Sequence, residues 1–226
     1  MFVDKIYEQM RCFNSKSENI KWVLGTHIAY AVLISRPDII DFSKLPNDVF
    51  IDNVKVNTSD VFGATLPPND RQIIINETLA SAKRLLLADS FDQLVESFCR
   101  SYAILVNDDH LDPYQTNDNI YFVGSKLYKG TKEATYFDDE EKAFLKEVIN
   151  PIRGAIRHNN AILPPPNDID FIGELFDNKI EIRFKAGDMI KADLNICNNV
   201  FNIIRKIGNN AFSKIIKEAK KLEAEA

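Results

Sequence analysis

The chain has 226 residues, of which 45% are hydrophobic and 10% aromatic, enough apolar material for a packed core, and this excludes wholesale disorder. Its 33 acidic and 28 basic residues leave a net charge of −5, which argues against a protein that coats nucleic acid by bulk positive charge. Eight glycines and nine prolines are too few for a collagen-like or linker-dominated chain, and the length fits one domain over residues 1–226.

In chain order, residues 18–35 read as a helix, with Trp22, Val23, Ala29, Tyr30, Leu33 and Ile34 near helical spacing and Arg36-Pro37 as its stop. Residues 37–70 carry four prolines and lack that period, and form an irregular insertion in which Val49–Ile51 and Val54–Val56 suit short strands. Residues 71–106 predict a long helical stretch, either two helices or one with a break near Asp89-Ser90, where Ser90 and Gln93 fit a capping box that restarts the helix. Beyond it Phe91, Leu94, Val95, Phe98, Tyr102 and Leu105 line one face. Residues 107–137 are polar and irregular, a second insertion with a short hairpin expected around Ile120–Val123. The aromatic residues Tyr121, Phe122 and Tyr128 there are of the type that stacks on bases or anchors a loop.

The next helix spans residues 138–160. Asp138 and Glu141 suit its positive end, and Pro151 should kink it. Asn159-Asn160 and Pro164–Pro166 end it. Residues 171–185 alternate as a hairpin, with Ile180, Ile182 and Phe184 on one face and Asp177-Asn178 at the turn. Residues 189–221 return to helical spacing, interrupted at Gly208-Asn209-Asn210, and hold a basic end with Arg205, Lys206, Lys214, Lys217, Lys220 and Lys221. That end suits a solvated helix face or an RNA-backbone patch. The sum is an all-α class: a helical bundle with a small β-hairpin insertion.

Cys12, Cys99 and Cys197 are odd in number and far apart, which fits cysteines packed as small hydrophobes in a reducing compartment. The N-terminus is charged where a signal peptide is apolar, and the longest apolar run, residues 28–34, is far short of a membrane span. The expectation is a cytoplasmic protein without a membrane partner.

Most sequence signatures of chemistry are missing. No glycine-rich phosphate loop and no Gly-x-Ser-x-Gly elbow occur. His27, His110 and His158 share no ligand spacing, so no metal and no cofactor is expected. His110 reads as an exposed loop histidine among acids, and His27 as a helix-boundary histidine.

One stretch differs, Ile152-Arg153-Gly154-Ala155-Ile156-Arg157-His158-Asn159-Asn160. A histidine near neutral pKa can take and return a proton, and a permanent guanidinium can stabilise charge on a phosphate. Together they suit phosphodiester cleavage, with no metal needed if the 2′-hydroxyl of RNA is the nucleophile. On a straight helix Arg153 and His158 point about 140° apart. A kink at Pro151, the long arginine side chain, or a second copy across a two-fold axis is needed to unite them. Arg157 suits contact with an RNA backbone or plain solvation, and Asn159 suits substrate binding or a helix cap. The bland alternative for the whole stretch is a solvated helix end whose cations complement the dipole.

Arg153 to His158, followed by Asn159, resembles the Arg-x4–6-His motif of the HEPN superfamily (higher eukaryotes and prokaryotes nucleotide-binding domain). The resemblance covers these nine residues and the order of helices. It implies an all-α, HEPN-like dimeric bundle and a metal-independent endoribonuclease of a toxin–antitoxin or antiphage abortive-infection system. It also implies Arg153 as the phosphate-binding residue and His158 as the general acid/base. Its implied partners are RNA, a second copy of the chain, and an antitoxin or nucleotidyltransferase. Gly154 departs from the polar residue often found after the motif arginine. The alternative is therefore a non-catalytic HEPN module that binds RNA, a nucleotide or a partner protein.

Overall fold

In a computed structural model the described residues are 2–61, 66–106, 136–191 and 193–225. They are mostly helical, with two small β-hairpins. They group into two compact units, residues 1–20 with 85–226, and residues 21–84. His110, Tyr121, Phe122, Tyr128 and the hairpin expected at Ile120–Val123 lie outside the described residues. No helix among the described residues is long and apolar enough to cross a membrane.

The smaller unit takes the second half of α1 (Phe2–Ser35), the strands β1 (Asp48–Ile51) and β2 (Val54–Asn57), the single turn α2 (Thr58–Val61) and α3 (Pro68–Arg84). β1 and β2 pair antiparallel in the register Ile51 with Val54. Asp52 and Asn53 form the two-residue turn between them, both with positive φ, 47° and 64°. Mirror-image turns of this kind match the twist of the flanking strands, and Asp and Asn tolerate that geometry.

The larger unit holds the first half of α1 and a π-helical turn (Leu85–Asp89) that runs into α4 (Ser90–Val106). It also holds α5 (Asp139–Ala143), a second π turn (Phe144–Ile149), α6 (Asn150–His158), the strands β3 (Ile169–Leu175) and β4 (Asn178–Phe184), and α7 (Leu194–Glu225). Its core is aromatic. Phe98 lies at its centre, with ring centroids 5.1 Å from Phe137, 5.5 Å from Tyr136 and 5.9 Å from Phe212. α4 packs along α7 through this cluster.

The irregularity expected near Asp89-Ser90 is a π turn, Leu85–Asp89, which separates α3 from α4 without interrupting the helical path. Ser90 is not a cap: its Oγ donates to the Leu86 carbonyl at 2.5 Å. A wider turn loosens the carbonyls just before it, and a serine hydroxyl one turn later supplies the missing donor. The kink expected at Pro151 is also resolved by a π turn. Asn150 donates to the Leu145 carbonyl, five residues back, immediately before the proline. The extra residue in that turn makes room for a ring that offers no N–H.

The hairpin turn falls on Phe176-Asp177, one residue earlier than the expected Asp177-Asn178, and Leu175 pairs with Asn178. Asn178 serves as a side-chain donor instead, its Nδ2 meeting the carbonyls of Leu175 and Phe176 at 3.2 and 2.7 Å. Ile180 and Ile182 are buried while Glu181 and Arg183 are exposed, so the alternation along β4 has its expected sense.

α7 runs unbroken through Gly208-Asn209-Asn210, where an interruption is expected from the sequence. The glycine answers to packing. A Cβ on Gly208 would sit 2.5 Å from Phe13 Cζ and 3.0 Å from Leu94 Cδ1. Phe13 is itself buried, with its ring 5.5 Å from Phe212, and has little room to yield. Gly208→Ala is therefore expected to destabilise by about 1–2 kcal/mol in urea unfolding, although alanine is the better helix former, because overpacking outweighs propensity.

Cys99 and Cys197 are buried and Cys12 is half-buried. Burial pushes the Cys99 thiol far above its ordinary value. A colourless-to-coloured disulfide reagent is expected to titrate Cys12 alone in the native chain and all three thiols in urea, since only the thiolate reacts. Rapid labelling of more than one thiol in the native chain would contradict this packing.

Candidate functional site

The site is built on the last turns of α6 and the first turn of α4, both in the larger unit. At the start of α5 the Asp138 N–H donates to Glu141 Oε2 at 2.8 Å. Glu141 is buried and also accepts from Asn210 Nδ2 at 2.9 Å, which ties this end of the helix to α7. Ile152 and Ala155 are buried and seat α6 in the core.

The far end of α6 closes on itself. The N–H groups of Asn159 and Ala161 both reach the Ala155 carbonyl, at 3.0 and 2.9 Å, and Asn160 and Ala161 take positive φ. Asn159 Nδ2 donates to the Ile162 carbonyl at 2.6 Å. Its amide nitrogen thus serves the cap, and its Oδ1 is the atom with no bond to that turn. The following segment is held by bonds from Leu163 to Asp188 and from Ile190 to Ala161.

Arg153 is buried, only 7% exposed. Its Nε donates to Asp92 Oδ1 at 2.8 Å. Its Nη1 lies 3.4 Å from His158 Nε2. The two side chains that diverge on the helical wheel are thereby brought together within one copy of the chain. The reach of the arginine does this, because the π turn ends before Arg153 and α6 itself is regular. A guanidinium only donates, so in this contact Nε2 accepts, and a neutral His158 carries its proton on Nδ1. His158 is exposed.

Arg157 is engaged as well. Its Nη2 and Nε donate to Asp92 Oδ2 at 2.9 and 3.2 Å, and Nη2 also contacts Asp89 Oδ1. Asp92 bridges the two arginines with one oxygen each. Asp89 and Asp92 are the site residues that sequence reading missed. Their one signal was the three-residue spacing, which puts two carboxylates on one helix face, as Arg153 and Arg157 are placed four apart on theirs.

Burial raises the Asp89 carboxyl above its usual range. Arg157 pulls it down and Asp92 pushes it up, and burial prevails. Relative to the unfolded chain, the fold thus makes protonation of Asp89 easier, and the carboxylate that pairs with Arg157 carries that burial cost. Its contribution to stability is greatest below the ordinary carboxylate pKa of about 4 and falls as pH rises through the raised value. Relative to Asp89→Asn, the parent chain is expected to lose stability over that interval, as read from urea midpoints at stepped pH. A parent that gains stability there would contradict the assignment.

Of the remaining candidates, His27 Nδ1 donates to the Val23 carbonyl at 2.7 Å within its own helix. In the basic end of the chain, Lys214 meets Asp138 at 2.7 Å and Lys220 lies 5.3 Å from the Tyr7 ring centroid. No group of three or more His, Cys, Asp or Glu side chains suited to a metal ion occurs among the described residues. Searches against protein-family models, curated proteins and solved structures found no match.

Proposed function

We propose that the chain is a metal-independent endoribonuclease of the HEPN type. The observation that supports this is the approach of Arg153 Nη1 to His158 Nε2 at 3.4 Å, with Arg153 held by Asp92. That separation is long for a hydrogen bond. A phosphate oxygen that displaces this contact costs little and gains a charge-assisted bond to the guanidinium.

In the proposed reaction the ribose 2′-oxygen attacks the adjacent phosphorus and the bond from phosphorus to the 5′-oxygen breaks. The imidazole of His158 takes the 2′-hydroxyl proton and, as imidazolium, returns it to the departing 5′-oxygen. Arg153 stabilises the charge that builds on the non-bridging oxygens. The products carry a 2′,3′-cyclic phosphate and a 5′-hydroxyl. In this reading Arg157 and the Oδ1 of Asn159, the neighbours of His158 in the chain, contact the flanking backbone and position the strand. In this proposal the chain acts as a homodimer in the cytoplasm, as the toxic component of a toxin–antitoxin or antiphage system. An antitoxin or a nucleotidyltransferase restrains it.

The test is incubation of purified protein with single-stranded RNA in excess chelator, with product ends mapped. Cyclic-phosphate ends that vanish in His158→Ala and Arg153→Ala support the proposal. Cleavage that survives both substitutions, or needs added divalent metal, overturns it.

A second reading has its own observation. Two arginines face two carboxylates, so the charge of the cluster is largely cancelled before any phosphate arrives. That favours a non-catalytic HEPN module in which the cluster fastens α6 to α4. The two readings differ on expression in a bacterial host. The catalytic chain arrests growth and His158→Ala relieves it, whereas the module does neither.

A further inference from the structure

α7 carries six asparagines, Asn195, Asn198, Asn199, Asn202, Asn209 and Asn210, in a helix where an exposed face ordinarily takes Lys, Glu or Gln. Asparagine is a poor helix former because its amide competes for nearby backbone groups. Three of the six share a stripe with Lys206, at positions 199, 202, 206 and 209. That spacing of three, four and three places them on one side of the helix.

The stripe borders a groove of about 340 Å³ lined by Asn178, Asn199, Asn202, Arg205, Lys206 and Asn209. The β3–β4 turn closes one side of it. There Phe176 takes a φ of 53°, a left-handed conformation that a bulky side chain rarely adopts. The turn holds Lys206, whose Nζ lies 3.4 Å from the Phe176 carbonyl and 5.6 Å from the centre of its ring. Arg205 pairs with Glu18 through one of its nitrogens. Asn209 Oδ1 is buried and has no hydrogen-bond partner among the described residues. That oxygen is closed to the groove, so Asn209 lines it through its remaining atoms.

The chemistry of the lining narrows the ligand. No carboxylate and no aliphatic side chain lines the groove, so neither a cation nor an apolar molecule is matched. Two cations match an anionic oxygen, and amides match several hydroxyl groups. The volume lies at the low end of small-molecule sites. We propose that this groove binds a pentose phosphate ester, with phosphate at Lys206 and Arg205 and sugar hydroxyls at Asn199 and Asn202. Such an ester comes either as a free sugar phosphate or as part of a nucleoside monophosphate. This inference does not rest on the ribonuclease reading.

Isothermal titration of the full chain with ribose 5-phosphate, AMP, ribose and inorganic phosphate tests it. At least one of the two esters is expected to bind saturably at one per chain, with ribose and phosphate each about tenfold weaker or more. AMP binding tighter than ribose 5-phosphate identifies the nucleotide as the source, and equal or weaker binding identifies the free sugar phosphate. Lys206→Gln and Asn202→Ala should each weaken the ester by about tenfold. Lys217→Gln, on the same helix outside the groove, should leave it unchanged. The inference is overturned if neither ester binds saturably, if inorganic phosphate binds as tightly as its ester, or if both groove variants bind like the parent. Circular dichroism of each variant keeps loss of binding distinct from loss of fold.

Discussion

RNA cleavage by His158→Ala is expected to be lower than that of the parent chain by about 10²–10⁴-fold, the usual worth of a positioned general acid or base. His158 is exposed at the end of α6, and the substitution removes no buried packing. Its effect on stability should be within about 0.5 kcal/mol. Rate and stability are therefore separable at this position, which makes it the sharpest probe of the proposed chemistry. Initial rates on a short labelled RNA in chelator, beside urea unfolding of the same preparations, give both quantities. A variant as stable as the parent and equally active would leave His158 without a chemical role. In the proposed reaction the parent's cleavage should also fall as salt rises, because the substrate is held through phosphate charge.

The second large effect concerns Asp92. Its carboxylate accepts from Arg153 Nε at 2.8 Å and from Arg157 Nη2 at 2.9 Å. Asp92→Ala leaves the buried Arg153 guanidinium without its main counter-charge. Breaking a buried pair from one side is costly, because the remaining ion has lost both water and partner. We expect Asp92→Ala to destabilise by about 3 kcal/mol, read from the urea midpoint. Removing the charge as well, in the double variant Asp92→Ala/Arg153→Met, should recover part of that loss, since an apolar chain of similar length tolerates the site. If the single variant unfolds at the parent's midpoint, the pair is not a structural fastening, and the second functional reading loses its support. Asp92→Asn keeps the shape with one acceptor oxygen and is expected to fall between parent and alanine.

These two residues mark where sequence reading stopped. Arg153 and His158 are visible as a motif because both lie within five positions on one helix. Asp92 lies 61 positions from Arg153 and enters the site through the packing of α4 against α6. A carboxylate in the first turn of a helix is ordinarily explained by the helix dipole, so nothing local sets Asp92 apart. The same holds for Gly208. In the sequence it reads as an interruption of α7, whereas the structure makes it the point where Phe13 closes on that helix. The π turns escaped for a related reason. A one-residue widening leaves the apolar spacing almost unchanged, so the sequence marks an irregularity beside each, at Asp89-Ser90 and at Pro151, without showing its kind.

What the sequence determined alone is the set of elements that depend on neighbouring residues. Apolar stripes at helical spacing placed α4, α6 and α7, and alternation placed β3 and β4. Both signals come from backbone geometry that repeats over a few residues. What only the tertiary structure decided is which charges meet. The wheel placed Arg153 and His158 on divergent sides, and the partners of Arg153 were open until α4 supplied Asp92. Side-chain reach and long-range packing set those contacts, and neither leaves a period in the chain.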